Sequence, residues 1–492
     1  MKTTMMGIKY RKGDVRMHSK FMENEFIKQI PILIGLGMFS LLTSISGSST
    51  NLALPKISED LKITNGQSTW IIQIGLIVSA ITFVLFGRLG DSISKTFIFT
   101  NGGIIFLVGS LITGMALDFP IIMLGRAIQS LGVAMIMANS LGIVSQYFSN
   151  ETRGEALAII SMFISIGAIS GPALGGIILS FTSWRWIYLF NIPLGIIIIF
   201  FSRKQLAVPK VPLKTLSNEI KSINWFGELT FAVGLTLFFL SGVYFQKGLN
   251  FFVVGLTFLI IGTVIAFAAF FQDRKFHDSL ISNELVKNAD YLLSISILLV
   301  VMLVNSMSNI LLPFYLQSYG GISPFVSGLL LMVQSLTMLI ISPISGYISD
   351  HWNRYDLTII GLLVLLISQV GYVMYPRNIN LLIVSIPIIV NGIGLGLFLS
   401  PNNAIIMGVV DESLSGVAGS LTSFARTLGV TIGISFSSIL LFVQLPHVQR
   451  ITPALGQKFM NAFVSVFVVA TVISAVVLVA VIFRRIQNKN TI

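Results

Sequence analysis

Leu381–Ser400 reads LLIVSIPIIVNGIGLGLFLS, twenty residues without a single charged side chain. A bilayer hydrocarbon core about 30 Å thick is crossed by roughly 20 helical residues rising about 1.5 Å each. The stretch therefore predicts a transmembrane helix. Outward from it, thirteen more stretches carry the same pattern. They predict helix 1 over Pro31–Leu54, then Thr69–Phe86, Phe97–Leu117, Pro120–Val144, Ala156–Phe181 and Trp184–Phe201. Helices 7 and 8 fall on Trp225–Tyr244 and Phe251–Phe271. Helices 9 to 14 fall on Leu292–Leu312, Val326–Tyr347, Leu357–Tyr375, Leu381–Ser400, Gly416–Phe442 and Ala462–Phe483. Three glycines inside the quoted stretch (Gly392, Gly394, Gly396) imitate a dinucleotide loop, but no strand precedes them, and they read as helix packing.

Composition agrees. Of 492 residues, 54% are hydrophobic and 10% charged, against about 25% charged in soluble domains. With no cysteine there is neither a disulfide nor a thiolate site. The net charge of +12 suggests nucleic acid until the charges are placed. Threading the loops alternately leaves only Lys56, Lys62, Arg185, Lys247, Arg377, Arg450 and Lys458 on the side opposite the N-terminus. Arg126 and Arg426 fall inside helices, and every other Lys and Arg lies on the N-terminal side. That bias predicts two cytoplasmic termini and contact with anionic lipid, not nucleic acid.

The expected organisation is a basic N-terminal segment (1–30), six helices (31–201), a basic loop (202–224), two additional helices (225–271), a second loop (272–291), six further helices (292–483) and a tail (484–492). FGRLGD (Phe86–Asp91) closes helix 2 and SGYISD (Ser345–Asp350) closes helix 10. In each, a Gly precedes an Asp by four residues (Gly87 and Asp91, Gly346 and Asp350). Two parallel six-helix repeats would produce this echo, and chance recurrence of Gly and Asp at helix ends is the rival account.

Polar groups inside spans are costly and mark function. Arg126 lies several residues into helix 4 with Gln129 three residues on, on the same face; snorkelling to the interface is the alternative. Gly167, Gly171, Gly175 and Gly176 recur at helical spacing on helix 5 around Pro172, which removes a helical hydrogen bond. They predict close packing, and a pivot or seal between halves. Glu228 is the one acid inside an apolar stretch, and a helix N-terminal carboxylate is its other reading. His18, His277, His351 and His447 all lie outside the spans.

Six motifs together resemble the major facilitator superfamily, and within it the 14-helix drug:proton antiporters. They are GRLGDSISK (Gly87–Lys95), RAIQSLG (Arg126–Gly132), GAISGPALGG (Gly167–Gly176), WRWIYLFNIPLG (Trp184–Gly195), YLQSYGGISPFVSG (Tyr315–Gly328) and RTLGVTIG (Arg426–Gly433). The resemblance implies a fold of two six-helix bundles plus two extra helices, a bacterial cytoplasmic membrane, and proton-coupled export of amphipathic small molecules by alternating access. It implies that Gly87, Arg88, Asp91, Gly346 and Asp350 form a conformational gate. It also locates a departure. Alignment on NLALP (Asn51–Pro55) puts Ser46 where the family usually has an acid, beside Asn51. Substrate binding and coupling are thus expected at Arg126, Gln129, Ser46, Asn51 and Glu228. Neither cofactor nor metal is expected, and the chain is expected to act as a monomer. A lipid or metabolite carrier of this fold, or a transport-dead sensor, are the rival functions. No nucleophile–base pair suggests an enzyme.

Overall fold

The computed structural model describes residues 12–148, 153–209, 211–212, 215–216, 219, 225–246, 251–273, 288–408, 415–445, 448 and 450–489. Among the described residues, fourteen helices are long and apolar enough to cross a membrane. The first six are α1 (Lys12–Asp60), α2 (Asn65–Leu89), α3 (Lys95–Gly114), α4 (Phe119–Tyr147), α5 (Arg153–Phe181) and α6 (Asn191–Gln205), the last entered through a short helix at Arg185–Leu189. Then come α7 (Trp225–Gln246), α8 (Phe252–Asp273), α9 (Ala289–Pro313), α10 (Pro324–His351), α11 (Arg354–Val373), α12 (Leu381–Gly408), α13 (Ser415–Val443) and α14 (Gly456–Lys489). A π turn at Gly90–Ser94 joins α2 to α3, and another at Phe314–Tyr319 extends α9.

The helices outrun the apolar stretches that predict them. α1 starts at Lys12 and ends at Asp60, not Pro31 and Leu54, because polar residues at a span's ends keep helical hydrogen bonds while leaving the hydrocarbon. Caps set several starts. Thr64 and Gln67 form a reciprocal capping box on α2. Asp118 accepts from Ile121 N at 2.9 Å to start α4, and Asn353 accepts from Tyr355 N to start α11. Of the loop expected at 202–224, residues up to Gln205 continue α6 and 210, 213–214, 217–218 and 220–224 lie outside the described residues, as do 274–287 of the loop expected at 272–291.

Helix pairings repeat with an offset of eight. Within the first half α1 packs on α5 and α6, α2 on α4, and α3 on α4 and α6. Within the second, α9 packs on α13 and α14, α10 on α12, and α11 on α12 and α14. The halves meet through α5 with α10 and α2 with α13, contacts that exchange under the same offset. α7 and α8 form a hairpin outside both bundles, with α7 touching α2 and α13.

The halves are joined at the end of the bundle away from the termini. Gln317 Nε2 donates to Leu52 O at 3.0 Å, Arg450 Nη2 to Glu59 O at 3.4 Å, and Ile451 N to Asn65 Oδ1 at 3.2 Å. There one apolar core crosses both halves, from Leu52 and Tyr188 to Tyr315, Leu331 and Phe463. Toward the termini the core splits. Leu36, Phe99 and Ile198 belong to a cluster confined to the first half, and Leu298, Phe398 and Val481 to one confined to the second. Among the described residues, the molecule is sealed at the far end and parted at the end that carries its termini.

Candidate substrate and coupling site

The buried centre of the first half is polar. Arg126, on α4, is 8% exposed. Its Nε donates to Ile71 O on α2 at 3.0 Å, and its Nη1 makes a short hydrogen bond to Gln129 Oε1. The guanidinium lies 5.8 Å from the centroid of the Tyr188 ring, within cation–π range. Gln129 spends its amide on hydroxyls, Ser110 Oγ at 2.7 Å and Ser46 Oγ at 3.4 Å. Asn191 Nδ2 donates to the same two, at 3.1 Å to Ser46 and 3.3 Å to Ser110. The spacing that put Arg126 and Gln129 on one face therefore holds. Snorkelling is overturned, because the guanidinium turns inward.

Ser46 is buried inside this network, not presented to an open space. Its neighbours Ser44, Ser48 and Ser49 bind α1 to α5, donating to the carbonyls of Ile164 (2.9 Å), Gly167 (3.4 Å) and Gly171 (2.7 Å). Asn51 is half-buried and outside the network. Glu228 sits half-buried in the first turn of α7, outside both bundles, the helix N-terminal placement. Ser110, Tyr188 and Asn191 were not singled out from the sequence. An Asn within the apolar entry to α6 was the available signal for Asn191, while a serine on α3 carries none.

The helix-5 glycines face two ways. A Cβ at Gly167 would come within 2.7 Å of Leu41 O, and one at Gly175 within 3.0 Å of Ser49 Cβ. A Cβ at Gly171 would overlap the Ser48 hydroxyl. These three pack on α1 in their own half. Gly176 faces the other half, with Pro324 O at 2.7 Å from its would-be Cβ, and Gly328 on α10 abuts Pro172 O. So Gly176 and Pro172 belong to the far-side seal, and the rest of the motif to the α1–α5 seam.

At the parted end the two gate motifs stand apart in their surroundings. Asp91 is exposed and paired locally with Lys95. A Cβ at Gly87 would meet nothing within 4 Å, and one at Gly346 only Ser400 Oγ at 3.3 Å. The side chains of Arg88 and Asp350 lie outside the described residues.

The second half has an uncharged counterpart network. Gln334 Nε2 donates to Asn305 Oδ1 (2.8 Å) and Asn391 Oδ1 (2.9 Å), and Asn391 Nδ2 to Ser368 Oγ (3.2 Å). Gln129 and Asn391 are each the eleventh residue of their helices, α4 and α12. Arg126 has buried Ile388 as its counterpart, so the second network carries no charge. A second cation stands on α13. Arg426 is exposed although it lies within a membrane-spanning stretch of that helix. It makes no hydrogen bond or ion pair among the described residues. No carboxylate joins either arginine, and no cluster of His, Cys, Asp or Glu able to hold a metal occurs among the described residues.

The sequence profile described as Major Facilitator Superfamily matches residues 36–434 and 294–491. The chain belongs to the major facilitator superfamily. This member is 31% identical over 459 residues to the riboflavin transporter RibZ of Clostridioides difficile, covering 93% of this chain and 98% of RibZ. It is 24% identical to the multidrug resistance protein Stp of Mycobacterium tuberculosis, covering 88% of this chain and 80% of that one. Among solved structures it resembles a peptide transporter in complex with sulfate, with TM-score 0.67 and 15% identity over 92% of this chain and 94% of that one. A bacterial homologue of the lysosomal transporter Spinster matches with TM-score 0.62 and 14% identity, over 92% and 96% of the two chains. Superfamily membership makes the chain a membrane transporter and not an enzyme, and the paired bundles with a laterally attached hairpin are its fold.

Proposed function

We infer that this transporter moves a neutral or anionic amphipathic molecule, with a riboflavin-type heterocycle as the first candidate, by alternating access across a bacterial cytoplasmic membrane. The single observation that carries the reading is the charge within its spans: Arg126 and Arg426, with no carboxylate beside either among the described residues. A lipophilic cation needs a buried counter-charge, and Ser46 stands where the resembled antiporters carry one. An arginine accepts carbonyl, carboxylate or phosphate oxygens through its planar fork and stacks on aromatic rings. Similarity to RibZ supports the same class. With the positive-inside bias setting both termini in the cytoplasm, the parted end faces inward. The paired halves and their network lie within one chain, so a monomer is the proposed working unit, with protons as the proposed coupling ion.

The test is transport in proteoliposomes with an imposed pH gradient, comparing riboflavin, an anionic amphiphile and lipophilic cations such as ethidium. Gradient-dependent movement of the first two, with cations left behind, is the expected result. Preferential movement of cations would overturn the reading in favour of multidrug export, and no movement at all would favour a sensor.

A further inference from the structure

The α7–α8 hairpin does not close against the second bundle. α7 touches α13 along Phe231, Leu235 and Phe239 with Leu428 and Ile432, while α8 packs against α7 and no other helix to comparable extent. Between the hairpin and α13 a cleft of about 490 Å³ remains, walled by Phe238, Phe245, Phe252, Leu259, Ile439 and Val443 among others. Its polar groups are few. Ser241 donates to Phe238 O, and the Gln444 amide at the rim donates to Leu440 O and Ser465 Oγ. This leaves the buried Ser435 hydroxyl without a partner.

We propose that this cleft binds one acyl chain of a phospholipid from the leaflet opposite the termini. Depth supports it. From Ile432 to Gln444 the cleft follows α13 for about 18 Å at about 1.5 Å per residue, close to one leaflet's share, about 15 Å, of the hydrocarbon core. Position supports it too. The cleft lies within the membrane-spanning parts of three helices, and α8 presents Val253, Ile260 and Val264 to lipid, so the surrounding phase is hydrocarbon. Left unfilled, an apolar space of this size would forfeit dispersion contacts along every wall, which a lipid tail supplies. The rim amide of Gln444 then stands level with the ester region. A ring-bearing cargo is the competing occupant. It would use the Ser435 hydroxyl, but the walls otherwise offer it apolar contact only. α13 also carries Arg426 and helps seal the halves against α2, so a tail lodged here fixes the hairpin to a helix that moves in transport.

The experiment reconstitutes the full chain in vesicles containing phosphatidylcholine with a diazirine in the acyl chain, photolyses it, and maps adducts by mass spectrometry. Adducts are expected on 238–245 and 432–443, saturating at low probe fraction. Gly242→Phe fills the cleft from α7, where a Cβ makes only ordinary contact with Ile439 Cδ1 at 3.4 Å. Ile439→Trp fills it from α13. Either variant should cut these adducts about tenfold, the loss expected from a misfit of about 1.4 kcal/mol, and leave labelling of Val253 and Val264 unchanged. Cleft labelling that rises linearly with probe and ignores both variants would reduce the site to annular lipid and overturn the proposal. So would displacement of the adducts by riboflavin or another transported amphiphile, which would make the cleft a cargo portal.

Discussion

Asn191 and Ser46, on α6 and α1, meet through a hydrogen bond of 3.1 Å from Nδ2 to Oγ. The same Asn191 amide reaches Ser110, and Gln129 donates to both hydroxyls. Two amides and two hydroxyls thereby tie α1, α3, α4 and α6 together. With its NH2 committed, Gln129 has its carbonyl oxygen free to receive Arg126. Ser46, Ser110 and Asn191 thus help to orient the arginine without touching it.

Removing that support should be felt in stability and transport together. Asn191→Leu leaves two buried hydroxyls short of a donor, at a cost of about 1–3 kcal/mol. A lower midpoint in thermal unfolding of the detergent-solubilised protein is expected, with reduced transport. An unchanged midpoint would show that the network contributes nothing to stability.

Arg126→Lys keeps the charge and loses the fork that reaches Ile71 O and Gln129 Oε1 at once. Transport should fall about 100-fold, equivalent to ~2.7 kcal/mol, at normal membrane levels. Full activity in Arg126→Ala would remove the arginine from the mechanism.

Arg426 is an exposed cation within a span, with no hydrogen bond or ion pair among the described residues, and should select cargo charge. Arg426→Gln is expected to raise the KM for an anionic amphiphile while membrane levels stay normal. Arg426→Glu should admit lipophilic cations that the parent excludes. A cargo profile identical to the parent in both variants would place the side chain off the pathway.

Glycine substitutions should separate the seam from the gate. Gly171→Leu forces a side chain into Ser48 and Ile45 O, and should impair folding or cycling. Gly87→Leu meets free space in this conformation and should leave it intact while hindering closure of the parted end. The chain has no cysteine, so spin labels on introduced pairs can report the distance between the halves. Equal populations of the two states in Gly87→Leu and the parent would argue against a gate at this position.

Proton coupling is the remaining test of the departure at Ser46. Glu228 lies in the first turn of the peripheral hairpin, so Glu228→Gln should leave gradient-driven transport unchanged. Lost gradient dependence would instead make Glu228 the coupling acid. Ser46→Asp would set a carboxylate against the Gln129 and Asn191 amides, near Arg126. It should extend transport toward lipophilic cations, unless desolvation of the new charge exceeds what those partners return. A cation panel identical to the parent would show that Ser46 is not the discriminating position.

The sequence by itself determined the membrane class, the fourteen spans and the superfamily. These follow from local quantities, namely runs of apolar residues long enough for a bilayer, and short motifs whose spacing one helix can satisfy. The Arg126–Gln129 pair belongs to the same kind, being three residues apart on one helix. What depended on packing between helices was decided only by the tertiary structure. Ser46, Ser110 and Asn191 come from three separate helices, and serine is too common in transmembrane segments to announce a network. The helix-5 glycines showed that something packs closely there, but their periodicity could not say that Gly171 faces α1 while Gly176 faces α10. Nor could sequence order reveal that the bundle is sealed at one end and parted at the other. Both conformations of a rocking carrier use the same residues and differ only in which contacts between the halves are made.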